Sequence, residues 1–268
     1  MVENIPEKKI NRLKAILREL GSFAIAFSGG VDSTFLLAVA SELPDIDIIA
    51  ITASSPMIPT WEIKEAKKMS ARLKVKHKII KTDPLENPSL KENPPERCYI
   101  CKKDLFAKFL NLAKDQDLRY LLDGTNYDDL KACRPGLRAL KELDVRSPLA
   151  EAGLTKEDIR RYSKIMGLPT WAAPSLACLA TRIPYNEEIT TAKLKMIDRA
   201  EEFIRSLGFR QVRVRYHHPI ARIELDPADI PSLVEPCMRK KIVQRLKAIG
   251  FGHIAIDMEG YRSGSMDE

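Results

Sequence analysis

The residues best equipped for chemistry begin with the run Ser28-Gly29-Gly30-Val31-Asp32-Ser33-Thr34. Gly29 and Gly30 carry no Cβ, so the backbone there can turn sharply and bring its N–H groups close to an anion. The positive end of a following helix would add to that attraction. Ser28, Ser33 and Thr34 contribute hydroxyl donors, and Asp32 suits a phosphate only with a Mg²⁺ between the two anions. The spacing matches neither Gly-x-x-x-x-Gly-Lys-Ser/Thr nor Gly-x-Gly-x-x-Gly, so the two commoner glycine-rich phosphate loops are excluded.

Thiols form the second group. Cys98 and Cys101, three apart at the start of an expected helix, share one face with Cβ atoms about 5–6 Å apart, close enough for one metal or cluster. Zinc would want two further ligands, whereas a cluster held by three cysteines leaves one iron open. Cys178, in the run Pro174 to Arg182, is the natural third candidate. It has a second reading as a reactive thiolate, four residues from Arg182. Cys133 and Cys237 read as buried small residues.

Two further sets are polar. Asp123-Gly124-Thr125-Asn126 either meets a nucleotide or is an ordinary Asp-Gly turn. Arg213 and Arg215, two apart on an expected strand between outward-turned Val212 and Val214, put two guanidiniums on one face, a fork suited to phosphate or carboxylates. Arg222 and Glu224 alternate likewise, so a cross-strand ion-pair ladder is the competing reading. His217 and His218, before Pro219, belong to a surface turn.

The elements that must carry these groups follow from periodicity. Phe23 to Phe27 is too short for a helix and reads as a buried strand, with a helix from Phe35 onward. Strands at Ile46–Thr52, His77–Ile80 and Tyr120–Thr125 alternate with helices at Trp61–Lys74 and Glu96–Ala113, the mark of a doubly wound, mostly parallel α/β sheet with ligands at the carboxyl ends of its strands. A short strand is expected at Val145–Leu149, and Thr155 with Asp158 forms a capping box for a helix stopping at Gly167. The proline-punctuated stretch from Leu168 to Glu188 is functional or a joint. Beyond it comes a small α+β unit: a helix over Thr190–Leu207, strands at Gln211–Tyr216 and Ala221–Leu225, helices around Pro231–Ile249 and a strand at His253–Met258. The expected domains are 1–185 and 186–268.

The chain has 268 residues, 44% hydrophobic and 30% charged, enough for one large or two modest domains. A formal net charge of +7 points to anionic partners without choosing between nucleotides and RNA. The start is a charged amphipathic helix with Ile10, Leu13, Leu17 and Leu20 on one stripe, unlike a secretion signal. No apolar run reaches membrane-spanning length, so a cytoplasmic location is expected. Five cysteines, an odd count, argue against a disulfide framework.

The Ser28-to-Ser33 loop resembles that of the N-type ATP pyrophosphatases, the PP-loop proteins, which cleave ATP between its α and β phosphates to adenylate a substrate. Over nearly all its length the chain resembles the LarE family, ATP-dependent sulfur transferases of nickel-pincer nucleotide cofactor synthesis. The later motifs that carry this are Tyr99 with Lys102 and Lys103, Asp123-Gly124, Arg134-Pro135-Gly136, Arg182-Ile183-Pro184-Tyr185, Val212 to Arg215, Ala221 to Leu225 and Tyr261-Arg262-Ser263-Gly264. The resemblance implies adenylation of a carboxylate on a pyridinium dicarboxylate mononucleotide, then sulfur delivery to give a thiocarboxylate. It implies ATP and Mg²⁺ at Ser28, Gly29, Gly30, Asp32, Ser33, Asp123, Gly124 and Arg182, catalytic roles for Asp32, Lys102 and Cys178, and a substrate phosphate on Arg213 and Arg215. The sulfur would come from a [4Fe-4S] cluster on Cys98, Cys101 and Cys178 or from a sacrificial Cys178. The small unit is expected to serve substrate binding or oligomerisation, in a homo-oligomer with a small-molecule substrate and no nucleic acid. A tRNA-thiolating enzyme shares the loop, but no zinc-ribbon cysteine set or RNA-binding domain is visible. A nucleotide-binding regulator without turnover is the other alternative, and amidation like that of GMP or NAD synthetases lacks a glutaminase segment.

Overall fold

The structure, a computed structural model, describes residues 7–131, 135–174, 176–262 and 264–266. In chain order its elements are α1 (Glu7–Leu20), β1 (Phe23–Ala26), α2 (Val31–Ser41), β2 (Ile48–Ser54), α3 (Thr60–Arg72) and β3 (Lys76–Lys81). Next come α4 (Pro88–Lys91), α5 (Arg97–Lys114), β4 (Tyr120–Leu122), α6 (Pro135–Glu142), α7 (Pro148–Glu151) and α8 (Lys156–Ile165). The last are α9 (Thr191–Ser206), β5 (Val212–His217), β6 (Ile220–Leu225), α10 (Ile230–Val234), α11 (Pro236–Ile249) and β7 (His253–Ile256). The expected α/β architecture is present.

Two compact units divide the chain. One comprises the described residues of Met1–Ser55, Glu62–Thr82 and Glu96–Ser175; the other those of Pro56–Trp61, Asp83–Pro95 and Leu176–Glu268. The division differs from a single cut after residue 185. The later unit begins ten residues earlier and takes in two segments of the first half. One reason is visible in its hydrogen bonds: buried Asn93 donates from Nδ2 to the Ile183 and Pro184 carbonyls, and the Ile189 N–H donates to the Lys91 carbonyl.

In the first unit the parallel sheet runs in the order β3-β2-β1-β4. β1 is central, with Phe23 in register with Ile48 on one side and Tyr120 on the other. A strand walled by neighbours on both edges and helices on both faces has no solvent side, so Phe23, Ala24 and Ile25 are all buried. α2 is buried along nearly its whole length, from Val31 to Ala40, which is why it shows no amphipathic stripe. Leu13 and Leu17 of α1, Phe35 and Leu37 of α2, Leu149 and Ile159 close the core. The strand expected at Val145–Leu149 reduces to one parallel bridge, Arg146 to Leu122. Pro148 fixes the backbone for the first turn of α7 and ends the extended run there. The Thr155–Asp158 capping box is present at the start of α8.

In the second unit, β5 and β6 form an antiparallel hairpin through the turn at His218-Pro219, and β7 adds in parallel to β6. α9 packs on β5 and starts at Thr190, whose hydroxyl accepts the Lys193 N–H. Val212 and Val214 do not turn outward but are fully buried, on the strand against which α9 packs. Among the described residues no helix is long and apolar enough to cross a membrane.

Candidate active site

The sequence makes a sharp exit from β1. At Gly29 φ is +76°, a conformation that costs any residue with a Cβ. An added Cβ would also lie 3.1 Å from the Ala66 Cα of α3. Both the turn and the close approach therefore require glycine. Gly30 is the N-cap of α2 and, having no side chain, supplies no cap of its own. Val31, Asp32 and Ser33, expected in the loop, form the first turn of the helix, whose positive end faces the glycine turn. The Ser28 hydroxyl accepts the Gly30 N–H at 3.2 Å and lies 3.1 Å from the Ser33 hydroxyl, which accepts the Ser28 N–H at 3.3 Å. Two hydroxyls and a helix terminus thus surround one anion-sized turn.

β4 delivers the second edge. A Cβ on Gly124 would approach the Ser33 backbone nitrogen to 3.0 Å, so the Asp-Gly turn packs directly on the first turn of α2. The Asp123 carboxylate is buried and accepts from the Thr125 N–H (3.2 Å) and hydroxyl (2.5 Å) and the Ser147 hydroxyl (2.6 Å). Lys102 Nζ stands 3.6 Å from its Oδ2. The stem of Lys102 lies along α6, where a Cβ on Gly136 would meet its Cδ at 3.1 Å, a physical reason for the glycine after Pro135. Arg134, Cys133, Ser175 and Ser263 lie outside the described residues.

One residue of the candidate site was missed in the sequence. Lys156, the first residue of α8, forms an ion pair with Asp32, and Asn126 Nδ2 donates to Asp32 Oδ1 at 3.4 Å. A lysine directly after an N-cap opposes the helix dipole, and that misplacement was the available signal. Asp32 remains partly exposed at the mouth of the turn, a hard oxygen donor of the kind that suits Mg²⁺.

Cys98 is exposed and Cys101 half-buried on the first turns of α5. Beside them, Tyr99 and Lys103 bind Glu142 at 2.8 and 2.7 Å, and hydrogen bonds to Glu142 and Tyr99 raise the Lys103 ammonium well above the ordinary lysine range. Cys178 is half-buried, in the second unit. Among the described residues, no group of three or more His, Cys, Asp or Glu side chains stands ready to hold a metal ion. Cys237 is exposed rather than buried, because it sits in the first turn of α11, before Ile242 and Leu246 turn that helix inward.

The second unit holds a buried charge cluster. Arg215 Nη2 donates to Glu224 Oε2 at 2.6 Å and to Ser265, and its Nη1 to the Thr181 carbonyl. Arg222 pairs with Glu224 (3.2 Å) and Asp257 (3.0 Å). The cross-strand ladder is therefore present. Arg213, buried beside it, lies 5.3 Å from the Tyr261 ring, and burial together with the Arg182 guanidinium pushes it below the ordinary arginine range. Arg182, expected on the nucleotide, is instead enclosed: Nε and Nη2 donate to Glu201 at 2.8 and 2.9 Å, and Nη1 to the carbonyls of Ala177 and Cys178. It grips the backbone of Cys178, not the thiol. A guanidinium 1% exposed fixes that segment.

A parallel sheet whose central strand ends in a serine-flanked glycine turn, at a helix terminus that presents a carboxylate, defines an ATP pyrophosphatase of the PP-loop class. Comparison with known proteins agrees: the family model described as asparagine synthase matches residues 13–154. The chain is 40% identical to an uncharacterised protein of Synechocystis over 97% of both chains. It is 33% identical to the pyridinium-3,5-bisthiocarboxylic acid mononucleotide synthase of Lactiplantibacillus plantarum, over 96% of this chain and 92% of that one. A third relative, an uncharacterised protein of Methanocaldococcus jannaschii, is 34% identical over 96% and 98%. The chain belongs to the LarE family of ATP-dependent sulfurtransferases.

Proposed function

We propose that this protein converts a carboxylate of a pyridinium-3,5-dicarboxylate mononucleotide into a thiocarboxylate. The carboxylate oxygen attacks the α-phosphorus of ATP, the α–β bridging bond breaks, and pyrophosphate leaves; sulfide then attacks the acyl carbon and AMP departs. A free carboxylate is a poor electrophile, and the acyl-adenylate supplies the leaving group. The observation that carries the reading is the Gly29 turn, where backbone, hydroxyls and helix terminus converge on the place a leaving pyrophosphate would occupy.

In this reading Ser28, Gly29, Gly30 and Ser33 hold the pyrophosphate, and Asp32 holds Mg²⁺, which would neutralise the charge gathered there, with Lys156 as its partner. Asp123 and Gly124 border the nucleotide, and Lys102 reaches toward the developing phosphate charge. Arg213 and Arg215 take the substrate phosphate. Burial of three arginines, Arg182, Arg213 and Arg215, against two glutamates, Glu201 and Glu224, supports this, since the set lacks one negative charge.

Cys98, Cys101 and Cys178 would hold a [4Fe-4S] cluster, which would supply the sulfide when bound. Three thiols, each at least partly exposed, are the donors such a cluster takes, and among the described residues they are not gathered into a ready site. If Cys178 is instead the sacrificial donor, its thiolate displaces AMP from the acyl carbon; loss of the Cα proton to a base then breaks the Cβ–S bond, the thiocarboxylate leaves and dehydroalanine remains. A homo-oligomer with no nucleic-acid partner completes the proposal.

Mass spectrometry of the reaction mixture tests the reading. Supplied with ATP, Mg²⁺, sulfide and the pyridinium substrate, the protein should yield a product with one oxygen replaced by sulfur. An unchanged substrate beside thiolated tRNA would overturn it.

A further inference from the structure

Behind the glycine turn lies a chain of polar groups that none of the assigned roles uses. Phe27 is the last residue before the turn, and its N–H still pairs with the Ile51 carbonyl at 2.8 Å. The Phe27 carbonyl, by contrast, accepts from a side chain: the buried Thr52 hydroxyl of β2, at 2.5 Å. That hydroxyl has one proton, which it gives to Phe27, so toward His77 it can only accept. His77 Nε2 stands 2.8 Å from it and must be the protonated nitrogen. At the ring's other side, Nδ1 lies 2.9 Å from the Ser70 hydroxyl, whose one proton is shared between Nδ1 and the Lys67 carbonyl at 3.0 Å. Burial and the nearby Lys67 push His77 below the ordinary histidine range, which keeps the ring neutral near pH 7. The Phe27 ring meets the imidazole edge-on, 5.8 Å between centroids.

α3 reaches the loop directly through Ala66 and indirectly through Ser70. Ser70 ends the polar chain, and Ala66, one turn earlier on the same face, is the residue against which Gly29 rests. We propose that Ser70, His77 and Thr52 are positioning residues for adenylation: they fix the Phe27 carbonyl, and with it the direction in which the chain leaves β1, so that the amides of the glycine turn meet the pyrophosphate. A buried carbonyl that loses its donor shifts to find another, and at this point any shift is passed directly to Ser28 and Gly29.

The inference rests on the loop's role in ATP cleavage, so the wild-type protein must release pyrophosphate for the test to begin; if it releases none, the functional reading fails and not this one. Thr52→Val keeps shape and removes the hydroxyl, whereas Thr52→Ser keeps the hydroxyl. With folding checked by circular dichroism and melting, Thr52→Val should lower kcat for pyrophosphate release about tenfold and weaken binding of Mg²⁺-pyrophosphate by calorimetry. Thr52→Ser should stay within about threefold of wild type on both measures. Wild-type kcat in Thr52→Val, or equal losses in both variants, would overturn the proposal. Should Thr52→Val not fold, His77→Gln, which retains a donor near Nε2, and His77→Leu form the same contrast, and a fully active His77→Leu overturns it.

Discussion

Replacing Glu201 by Gln tests the buried charge cluster most sharply. Glu201 is 2% exposed; Oε1 accepts from Arg182 Nε at 2.8 Å and from the Val214 N–H at 2.9 Å, and Oε2 from Arg182 Nη2 at 2.9 Å. Glutamine fits the space, but its amide nitrogen would face Nη2 as donor against donor. Arg182 and Arg213 would then stand buried without the charge that balances them. Removing one partner of a buried pair costs about 3–5 kcal/mol. At roughly 2–4 °C per kcal/mol for a chain of this size, melting should fall by about 6–20 °C. The exposed pair Glu65–Lys68 is the control, and Glu65→Gln should cost less than about 1 kcal/mol. Acid supplies a second readout. Burial works to raise the Glu201 carboxyl, but the Arg182 guanidinium outweighs it and holds the group below the ordinary glutamate range. Its stabilisation is therefore complete above the unfolded value of about 4.3 and lost as pH falls through the lower folded value. Wild type and Glu201→Gln should differ fully at neutral pH and converge in acid. Differential scanning calorimetry measures both, and a neutral-pH difference under about 2 °C would refute the reasoning.

Gly29→Ala should lower pyrophosphate release by at least about tenfold, because the nearest obstacle is the Ala66 backbone Cα; steady-state assay of the folded variant checks it, and Ala66→Gly should not rescue it. Asp32→Asn should cost at least about a hundredfold in AMP formation and raise the Mg²⁺ concentration needed, read by a metal titration. Anaerobically reconstituted protein should carry about four irons per chain with broad visible absorption, and Cys98→Ser should remove both. A colourless, iron-free wild type would transfer the sulfur role to Cys178. Native alkylation with a maleimide should modify Cys237, as its exposure requires.

The parts of this molecule written in local chemistry were legible in the sequence. Gly29-Gly30 announced the turn, Thr155 with Asp158 the start of α8, and Thr190 with Gly208 the limits of α9. Those decided by distant packing were not. Val212 and Val214 look like any alternating strand, and their full burial is visible only in the fold; the extended run at Val145 ended because Pro148 begins a helix. Cys237 resembled a core residue but precedes the turn at which α11 becomes amphipathic. Lys156 was overlooked because its partner, Asp32, lies 124 positions away in the chain. Arg182 is placed on the nucleotide by the resemblance. Only the buried Glu201 beside it shows that its charge is already engaged.

The central claim is that the glycine turn after β1 receives the pyrophosphate leaving an ATP whose α-phosphorus has been attacked by a substrate carboxylate. Incubation of the protein with α-labelled ATP, Mg²⁺ and the pyridinium dicarboxylate mononucleotide, followed by nucleotide separation, measures it directly. The account predicts AMP, with pyrophosphate released in equal amount and only when the pyridinium acid is present. ADP as the product, or no cleavage in the complete mixture, would contradict it.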